Sequence, residues 1–518
     1  MLHPLIIYKY IYCFQKVFKY YYNLFVFKNT NKLEEFMKNK IFVASLIGAG
    51  LLLADETKSP TSSESKNLTS QFLDGIEAKG FARARYTTID GAGESGADQQ
   101  LRVKLDLTTG KVEGWSFTGG LMFNMGSNNP TTTSNTNYAT QGSMAIIPGR
   151  SYNDRLGVAV FSVNKEIVTQ NAKTEFSVGR INLVNVFADK STDAGNGGKV
   201  RFIANKNNGI IYGAEYFDSW VTSHVVYSAR RASLSNNPSN SEISMTTGSL
   251  GNDLVILSLK GDNVAGSKFS FNAALGHANR VLDYLAFVDA KYDFGGVYVL
   301  GQVSAAGMSK DVNFMLSGGN KTGTNWTEVN DSRWASFGVY TGFNNNAWAS
   351  SRGMYNIQVG YKNKEARVST KLGFVGSFGD GYGTLLDHKG GIDVAGKFWV
   401  NSYDATNEGF GFMGAGGRSG TSIYVGYLAL DYKLTKAWKV GLDYSFITGN
   451  NNYPFVANAV AGSLKDKLTQ DNAKGITYHE IAPSITYKVG KVSATAYYGR
   501  NLGDVNYGKG RVEIRYDF

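Results

Sequence analysis

The chain closes on Gly510-Arg511-Val512-Glu513-Ile514-Arg515-Tyr516-Asp517-Phe518, and the reading of this stretch decides the fold. Successive side chains of a strand point to opposite faces. Val512, Ile514, Tyr516 and Phe518 therefore share one face, while Arg511, Glu513, Arg515 and Asp517 share the other. One face is apolar and ends in two aromatics; the other carries only charge. A soluble sandwich strand could carry this pattern. So could the closing strand of a membrane barrel, with its apolar side to lipid and its charges to a watery interior.

The rest of the chain separates the two. Leu101-Arg102-Val103-Lys104-Leu105-Asp106-Leu107 repeats the alternation, as do Lys439 to Phe446 and the run Val492, Ala494, Ala496, Tyr498. With its flanks each run reaches about nine to eleven residues, the length a tilted membrane strand needs. Near-continuous apolar runs, the mark of a buried parallel sheet, are missing. Short connectors (Thr109–Glu113, Glu166–Ala172, Asn207–Asn208, Asp262–Gly266, Lys362–Glu365, Leu434–Ala437, Gly490) alternate with long polar ones (Gly126–Asp154, Asp218–Gly251, Ser309–Arg352, Ser377–Gly420, Asn450–Lys474). Sorting of loops by length belongs to outer-membrane barrels, with short periplasmic turns and long extracellular loops.

The expected fold is thus all-β, a transmembrane antiparallel β-barrel. Strands starting near 79, 100, 114, 155, 173, 198, 209, 252, 267, 283, 296, 353, 366, 421, 438, 475, 491 and 510 number about eighteen, an even count that puts both ends of the barrel on the short-turn side. Two further strand-like stretches, 334–343 and 394–402, lie inside long loops and leave the count open, with sixteen as the runner-up. Composition agrees: Gly is high (61) and Pro low (7), with 31 Tyr and 30 Phe at a mean hydropathy of only −0.22. Few prolines suit segments that must donate ladder hydrogen bonds.

Met37-Lys38-Asn39-Lys40, the apolar run Ile41–Leu53 and Ala54 read as a secretory signal peptide over 37–54, too short in its apolar part to span a bilayer. Residues 1–36 are then expected to be a non-native upstream extension, and 55–78 a periplasmic N-terminal segment with a short helix opening near Leu68. The barrel is expected over 79–518. Residues 1–54 hold seven Lys and two Glu, or +5 of the net charge of +11, which leaves +6 for the rest. The remaining cations are spread singly, without a basic arm or helix, so nucleic acid is excluded as a partner. Cys13 is the only cysteine; without it the exported chain has no disulfide, thiolate nucleophile or cysteine metal site.

Enzyme signatures are absent. His224, His277, His388 and His479 stand apart, in no zinc-ligand or nucleophile-elbow spacing, and no cofactor or metal is expected. The charges say more. Arg83 and Arg85 share a face of the first strand, Arg102, Lys104 and Asp106 a face of the second, and Lys199 and Arg201 a face of the strand after connector 181–197. Charges on a lipid face cost about 2–4 kcal/mol at mid-membrane, so these should face water. If their strands are neighbours, six cations line one wall. Asp189 and Asp193, carried inward by 181–197, would oppose them across a constriction. Arg511, Glu513 and Arg515 should join the pore lining, and Val512, Ile514, Tyr516 and Phe518 should close the barrel and guide its assembly.

Gly80-Phe81-Ala82-Arg83-Ala84-Arg85-Tyr86, Val178-Gly179-Arg180-Ile181-Asn182-Leu183 and the stretch Glu480 to Phe518 resemble the major outer membrane porin family of the Campylobacter type. The first matches that family's R-x-R-Y opening strand, the second its step into the third loop, and the last its closing strands. The resemblance implies an eighteen-stranded trimeric general porin, an inward-folded third loop at 181–197, and constriction cations that include Arg83 and Arg85. The long loops and the alanines beside Arg83 depart from the family pattern.

The expected function is passive diffusion of small hydrophilic solutes and ions through the outer membrane, without catalytic turnover. A substrate-selective channel of the same architecture is one alternative; an adhesin or receptor barrel acting through its long loops is another. Expected partners are outer-membrane lipid, the barrel-assembly machinery, small hydrophilic solutes and, by the resemblance, two further copies of the chain.

Overall fold

The computed structural model describes residues 71–73, 75–90, 96–127, 155–189, 194–204, 209–221, 226–228, 253–278, 282–308, 349–362, 365, 367–387, 389–397, 399, 410–411, 415–417, 419–450, 475–504 and 508–518. The strands are β1 (Glu77–Asp90), β2 (Gly96–Thr108), β3 (Trp115–Ser127), β4 (Arg155–Val168), β5 (Ala172–Asn182), β6 (Ala194–Ala204) and β7 (Ile210–Val221). After the short β8 (Val226–Ser228) come β9 (Leu254–Gly261), β10 (Phe269–Ala278), β11 (Leu282–Asp293), β12 (Val297–Met308) and β13 (Ser351–Lys362). The chain finishes with β14 (Val368–Gly379), β15 (Tyr424–Lys433), β16 (Trp438–Gly449), β17 (Ile476–Val489), β18 (Val492–Gly503) and β19 (Gly508–Asp517).

Every neighbouring pair is antiparallel, and the sheet closes where β1 pairs β19. β8 pairs only the end of β7, and β7 continues the wall through β9. Eighteen strands therefore form the barrel. Each begins within four residues of the start expected from the alternating pattern. These eighteen paired strands set the sixteen-strand alternative aside; of the two further strand-like stretches, residues 394–397 and 399 are not in strands, and 334–343 lie outside the described residues. A helical turn at Gln71–Leu73 precedes β1. It is tied to the first short turn, where Gly110 N donates to Phe72 O at 2.8 Å.

The two faces of the sheet divide by chemistry. Phe161, Val178, Leu275, Ile357 and Leu372 are exposed on the outside, where Trp438 and Tyr487 also meet at 4.8 Å between ring centres. The inside carries Arg83, Gln100, Lys104, Glu215, Asp289, Gln302, Asn356, Asp443, Glu480 and Arg511, all among neighbours that hydrogen bond or pair with them. Apolar outside and polar inside is the inverse of a soluble barrel, and it follows from a bilayer serving as the outer solvent.

At the seam, Phe518 N donates to Gly80 O at 3.1 Å, and the Phe518 ring covers Gly80. A Cβ there would come within 2.8 Å of the ring and 2.0 Å of Lys104 O. The chain terminus thus seats on a glycine of the first strand. Tyr516 and Phe518 stack edge-on at 5.7 Å.

Candidate functional site: the seam wall and two inward segments

The register of β19, β1 and β2 sets the interior charges in rows. Arg83 faces Arg102 on one side and Arg515 on the other, so three arginines lie side by side across three strands. Like charges directly opposite destabilise a sheet, and a folding argument alone would not choose them. The next row runs Gln100, Arg85, Glu513; the row beyond places Thr87 beside Arg511.

Neighbours hold these side chains in place. Arg85 forks onto Glu513 through Nε (2.8 Å) and Nη2 (2.7 Å). Arg83 donates through Nη2 to Gln100 Oε1 at 2.7 Å, and its Nε stands 3.9 Å from Glu513. Arg515 donates to Asp517 at 2.7 Å and lies 4.1 Å over the Phe81 ring, with Arg83 5.8 Å from the same ring. Arg511 stands 5.7 Å over Tyr497. Lys104 reaches both Asp106 (3.2 Å) and Asn182 Oδ1 (2.6 Å), the last residue of β5. The described side chains of this wall include Arg83, Arg85, Arg102, Lys104, Lys509, Arg511 and Arg515, against Asp106, Glu513 and Asp517. It is a basic wall with fixed geometry.

Lys199 and Arg201 stand elsewhere. Three strands separate β6 from β2, and each cation meets a carboxylate. Lys199 pairs Glu215 at 2.5 Å, and Arg201 pairs Glu175 at 3.0 Å. Lys173 bridges Glu175 and Glu166 at 2.8 Å each, and Lys111 joins Glu166 at 2.8 Å. The expected wall of six cations therefore divides into four at the seam and two in a ladder of ion pairs.

The connector between β5 and β6 runs only from 183 to 193, because Ala194–Gly197 already belong to β6. Asn185 organises it: its Oδ1 accepts from Phe187 N (2.9 Å) and Ala188 N (3.2 Å), while Nδ2 donates to Glu215 at 3.0 Å. Leu183 and Phe187 are fully buried. The Phe187 ring meets Phe287 of β11 edge-on at 6.5 Å, which places it over interior side chains of a distant strand. Asp189 lies in this connector beside Lys389, whose ammonium is pushed down by burial and partly restored by Asp189 and Asp393. Asp193 lies outside the described residues.

A second inward segment comes from the connector between β14 and β15, which the sequence presents as a long outer loop. Leu386 N and Asp387 N both donate to Phe187 O, and Gly391 N donates to Val186 O at 2.8 Å. Gly390 adopts φ +50°, and a Cβ there would meet Val186 O at 2.5 Å. The segment is then fastened to the interior of β12–β17. Gln302 accepts from Asp393 N (2.7 Å) and donates to Gly391 O (2.9 Å). Asn356 donates to Asp393 O at 3.0 Å, and Lys371 pairs Asp393 at 2.6 Å. Burial pushes the Asp393 carboxyl up, but Lys371 and Gln358 outweigh it and hold it below the usual range. Farther along, Glu480 accepts from Lys397 N and Trp399 N at 2.7 Å each, Asp443 accepts from Gly396 N at 3.0 Å, and Trp399 Nε1 donates to Ser445 at 2.9 Å.

Val512, Ile514 and Tyr516 fall on the exterior face of β19, with Phe518 beyond its end, opposite Arg511, Glu513 and Arg515. Alternation missed Phe81, Gln100, Tyr497 and Lys509, which complete the seam wall. It also missed the segment 382–399, whose signal was its apolar content. Tyr382, Leu385, Leu386, Ile392, Val394 and Trp399 are too many buried hydrophobes for a solvated loop.

No family model matches the chain, and no curated protein matches its sequence. Solved structures do match. OccAB1 of Acinetobacter baumannii is 10% identical at a TM-score of 0.53, with 86% of this chain and 96% of that one covered. OccK8 (OprE) of Pseudomonas aeruginosa is 11% identical at 0.51, covering 86% and 99%. The outer membrane protein OpdK of Pseudomonas aeruginosa is 10% identical at 0.50, again covering 86% and 99%. At these identities the likeness is one of fold.

Proposed function

We propose that this chain is an outer-membrane porin, a passive diffusion channel for small hydrophilic solutes and ions, whose throat is biased by a basic wall at the barrel seam. The observation that carries the reading is the row Arg102–Arg83–Arg515 on the interior of a closed barrel with an apolar exterior. Rows of fixed charge along a pore set ion preference through local potential. The likeness in fold to a protein described as an outer membrane protein supports the location. So does the signal-peptide pattern at 37–54, with 1–36 as upstream extension, a periplasmic segment from 55, and a barrel whose first strand begins at Glu77, two residues before the expected start. Resemblance to the Campylobacter-type porins supports a homotrimer and an inward third loop, here the connector 183–193 between β5 and β6. The apolar face ending in Phe518 would present the chain to the barrel-assembly machinery. Purified full-length protein in a planar bilayer should give steady ohmic openings; a barrel that never conducts would overturn the reading.

A second reading has its own support. Two inward segments joined to each other through Val186 and Phe187, and clamped by Glu480, Asp443 and Gln302, favour a narrow, substrate-selective channel over a wide one. Conductance that saturates at low concentration of one solute class would favour it.

A further inference from the structure

Given the outer-membrane reading, on which this inference rests, we propose that the barrel exterior carries a headgroup site on β5–β7, near the long-loop end, built on Arg180 and Asp218. Its occupant is a zwitterionic lipid headgroup of the phosphoethanolamine type, with its phosphate at Arg180 and its ammonium at Asp218.

Cross-strand partners share a face. One row runs Phe161, Arg180, Asn196, Ser219 across β4–β7. Phe161 is 58% exposed on the exterior, and Val178, two residues before Arg180, is 62% exposed, so the row looks outward. At its far end β7 bulges: Gly197 pairs Phe217 while Asn196 pairs Ser219, and Asp218 is the extra residue. Its carboxylate stays with the row. Asn196 Nδ2 donates to Ser219 Oγ at 2.9 Å, and Ser219 Oγ donates to Asp218 Oδ1 at 2.7 Å. Asp218 also lies within electrostatic reach of Tyr216, an exposed exterior tyrosine that hydrogen bonds Asp253.

Their height matches the interface. Arg180 lies eight residues above Ala172, and Asp218 eight residues above Ile210, where β5 and β7 leave their short turns. At roughly 2.5 Å of height per tilted residue, both stand about 20 Å above the short-turn rim, near the upper border of an apolar band about 25 Å tall. The wall itself ends there: β5 stops at Asn182, whose side chain turns inward to Lys104. A charge facing lipid is costly at mid-membrane and nearly free at this border.

The two charges leave each other unanswered. Among the described residues, Arg180 and Asp218 are the only Arg, Lys, His, Asp or Glu at exterior positions of β3 through β7, apart from Lys165, which covers Trp115 at the short-turn rim. Arg180 makes no hydrogen bond, ion pair or ring contact, and its Nε is buried without an acceptor. Asp218 accepts from the neutral Ser219 hydroxyl and pairs with no cation. Their strands lie two apart in the row, about 10 Å at the usual strand spacing, with Asn196 between them. A lone phosphate at Arg180 would feel Asp218 and Asp253, and a lone cation at Asp218 would feel Arg180. A headgroup that joins a phosphate to an ammonium satisfies both ends. Val178, Phe176, Val200 and Phe202, on the same exterior face nearer the short turns, give its acyl chains an apolar wall to lie along.

The test uses the full-length barrel, delipidated in neutral detergent and offered one of three dioleoyl lipids, with bound lipid read by native mass spectrometry. Phosphatidylethanolamine carries both charges, phosphatidylglycerol the phosphate alone, and a trimethylammonium-propane lipid the cation alone. The wild type should retain phosphatidylethanolamine about tenfold better than either of the others. Asp218→Asn should raise phosphatidylglycerol to the level of phosphatidylethanolamine, and the double variant Arg180→Gln, Asp218→Asn should abolish all preference. Arg180→Lys should keep part of it, and a heat-shifted gel band would show that each variant folds. Equal retention of the three lipids by the wild type, an unchanged preference in the folded double variant, or displacement of the lipid by glycerophosphoethanolamine at matched concentration would overturn the proposal. Bilayer conductance of the same samples separates the two claims. Normal conductance without lipid preference sinks only the headgroup site, whereas lipid preference without conductance sinks only the porin reading.

Discussion

Two parts of the barrel interior are rich in cations, and they are built on opposite terms. On β19, β1 and β2, Arg102, Arg83 and Arg515 stand in one row, and the carboxylates within reach are fewer than the cations. On β4–β7 the interior cations Lys173, Arg201 and Lys199 meet carboxylates, with Lys111 of the turn before β3 joining them: Lys111 and Lys173 with Glu166, Lys173 and Arg201 with Glu175, Lys199 with Glu215. A count of cations per strand makes the two regions look alike. Register makes one a source of positive potential and the other a chain of short-range pairs whose field cancels beyond a Debye length of about 8 Å.

The comparison can be broken at several strengths. The largest effect is expected from neutralising Arg83, Arg85, Arg102 and Lys104 together to Gln, which should move the reversal potential under a salt gradient toward cation preference. Next comes Glu215→Gln. It removes the negative charge that pairs Lys199 and one of the two oxygens that serve Lys199 and Asn185, so it should push selectivity toward anions, lower stability by about 1–3 kcal/mol and add noise to the open current. Phe81→Ala should act less. It takes away the ring beneath Arg515 and Arg83, a contact worth about 0.5–2 kcal/mol, and should broaden conductance levels without changing the sign of selectivity.

Acid offers a fourth way. The Asp393 carboxyl is held below its usual range, so its pairing with Lys371 stabilises the second inward segment fully above the ordinary carboxylate pKa. That contribution is lost as pH falls through the lowered folded-state value. Open-channel noise should therefore rise only below about pH 4, and Asp393→Asn should show the noise at neutral pH.

Much of this was legible in the chain. A period of two exposes which face is apolar, so strands, their number and the pairing of last with first all follow from Leu101–Leu107, Lys439–Phe446 and Gly510–Phe518. Which carboxylate meets which cation was not legible, because register between strands decides whether Lys199 sees Glu215 or empty water. The inward course of 382–399 was hidden for a related reason. Its anchors, Gln302, Asn356, Asp443 and Glu480, sit at interior positions of four strands, and each looks like ordinary pore polarity until the segment is seated on it. Phe81 was hidden by its type, since a phenyl ring among inward charges breaks the alternation that finds the rest.

The central claim is that the seam wall, and not the ladder on β4–β7, biases the pore. Its most direct test is the reversal potential in a KCl gradient, measured side by side for the seam quadruple variant and for the charge-balanced double Lys199→Gln, Glu215→Gln. The account predicts a clear shift toward cations for the first and none for the second. Equal shifts in both, or no shift at the seam, would contradict it.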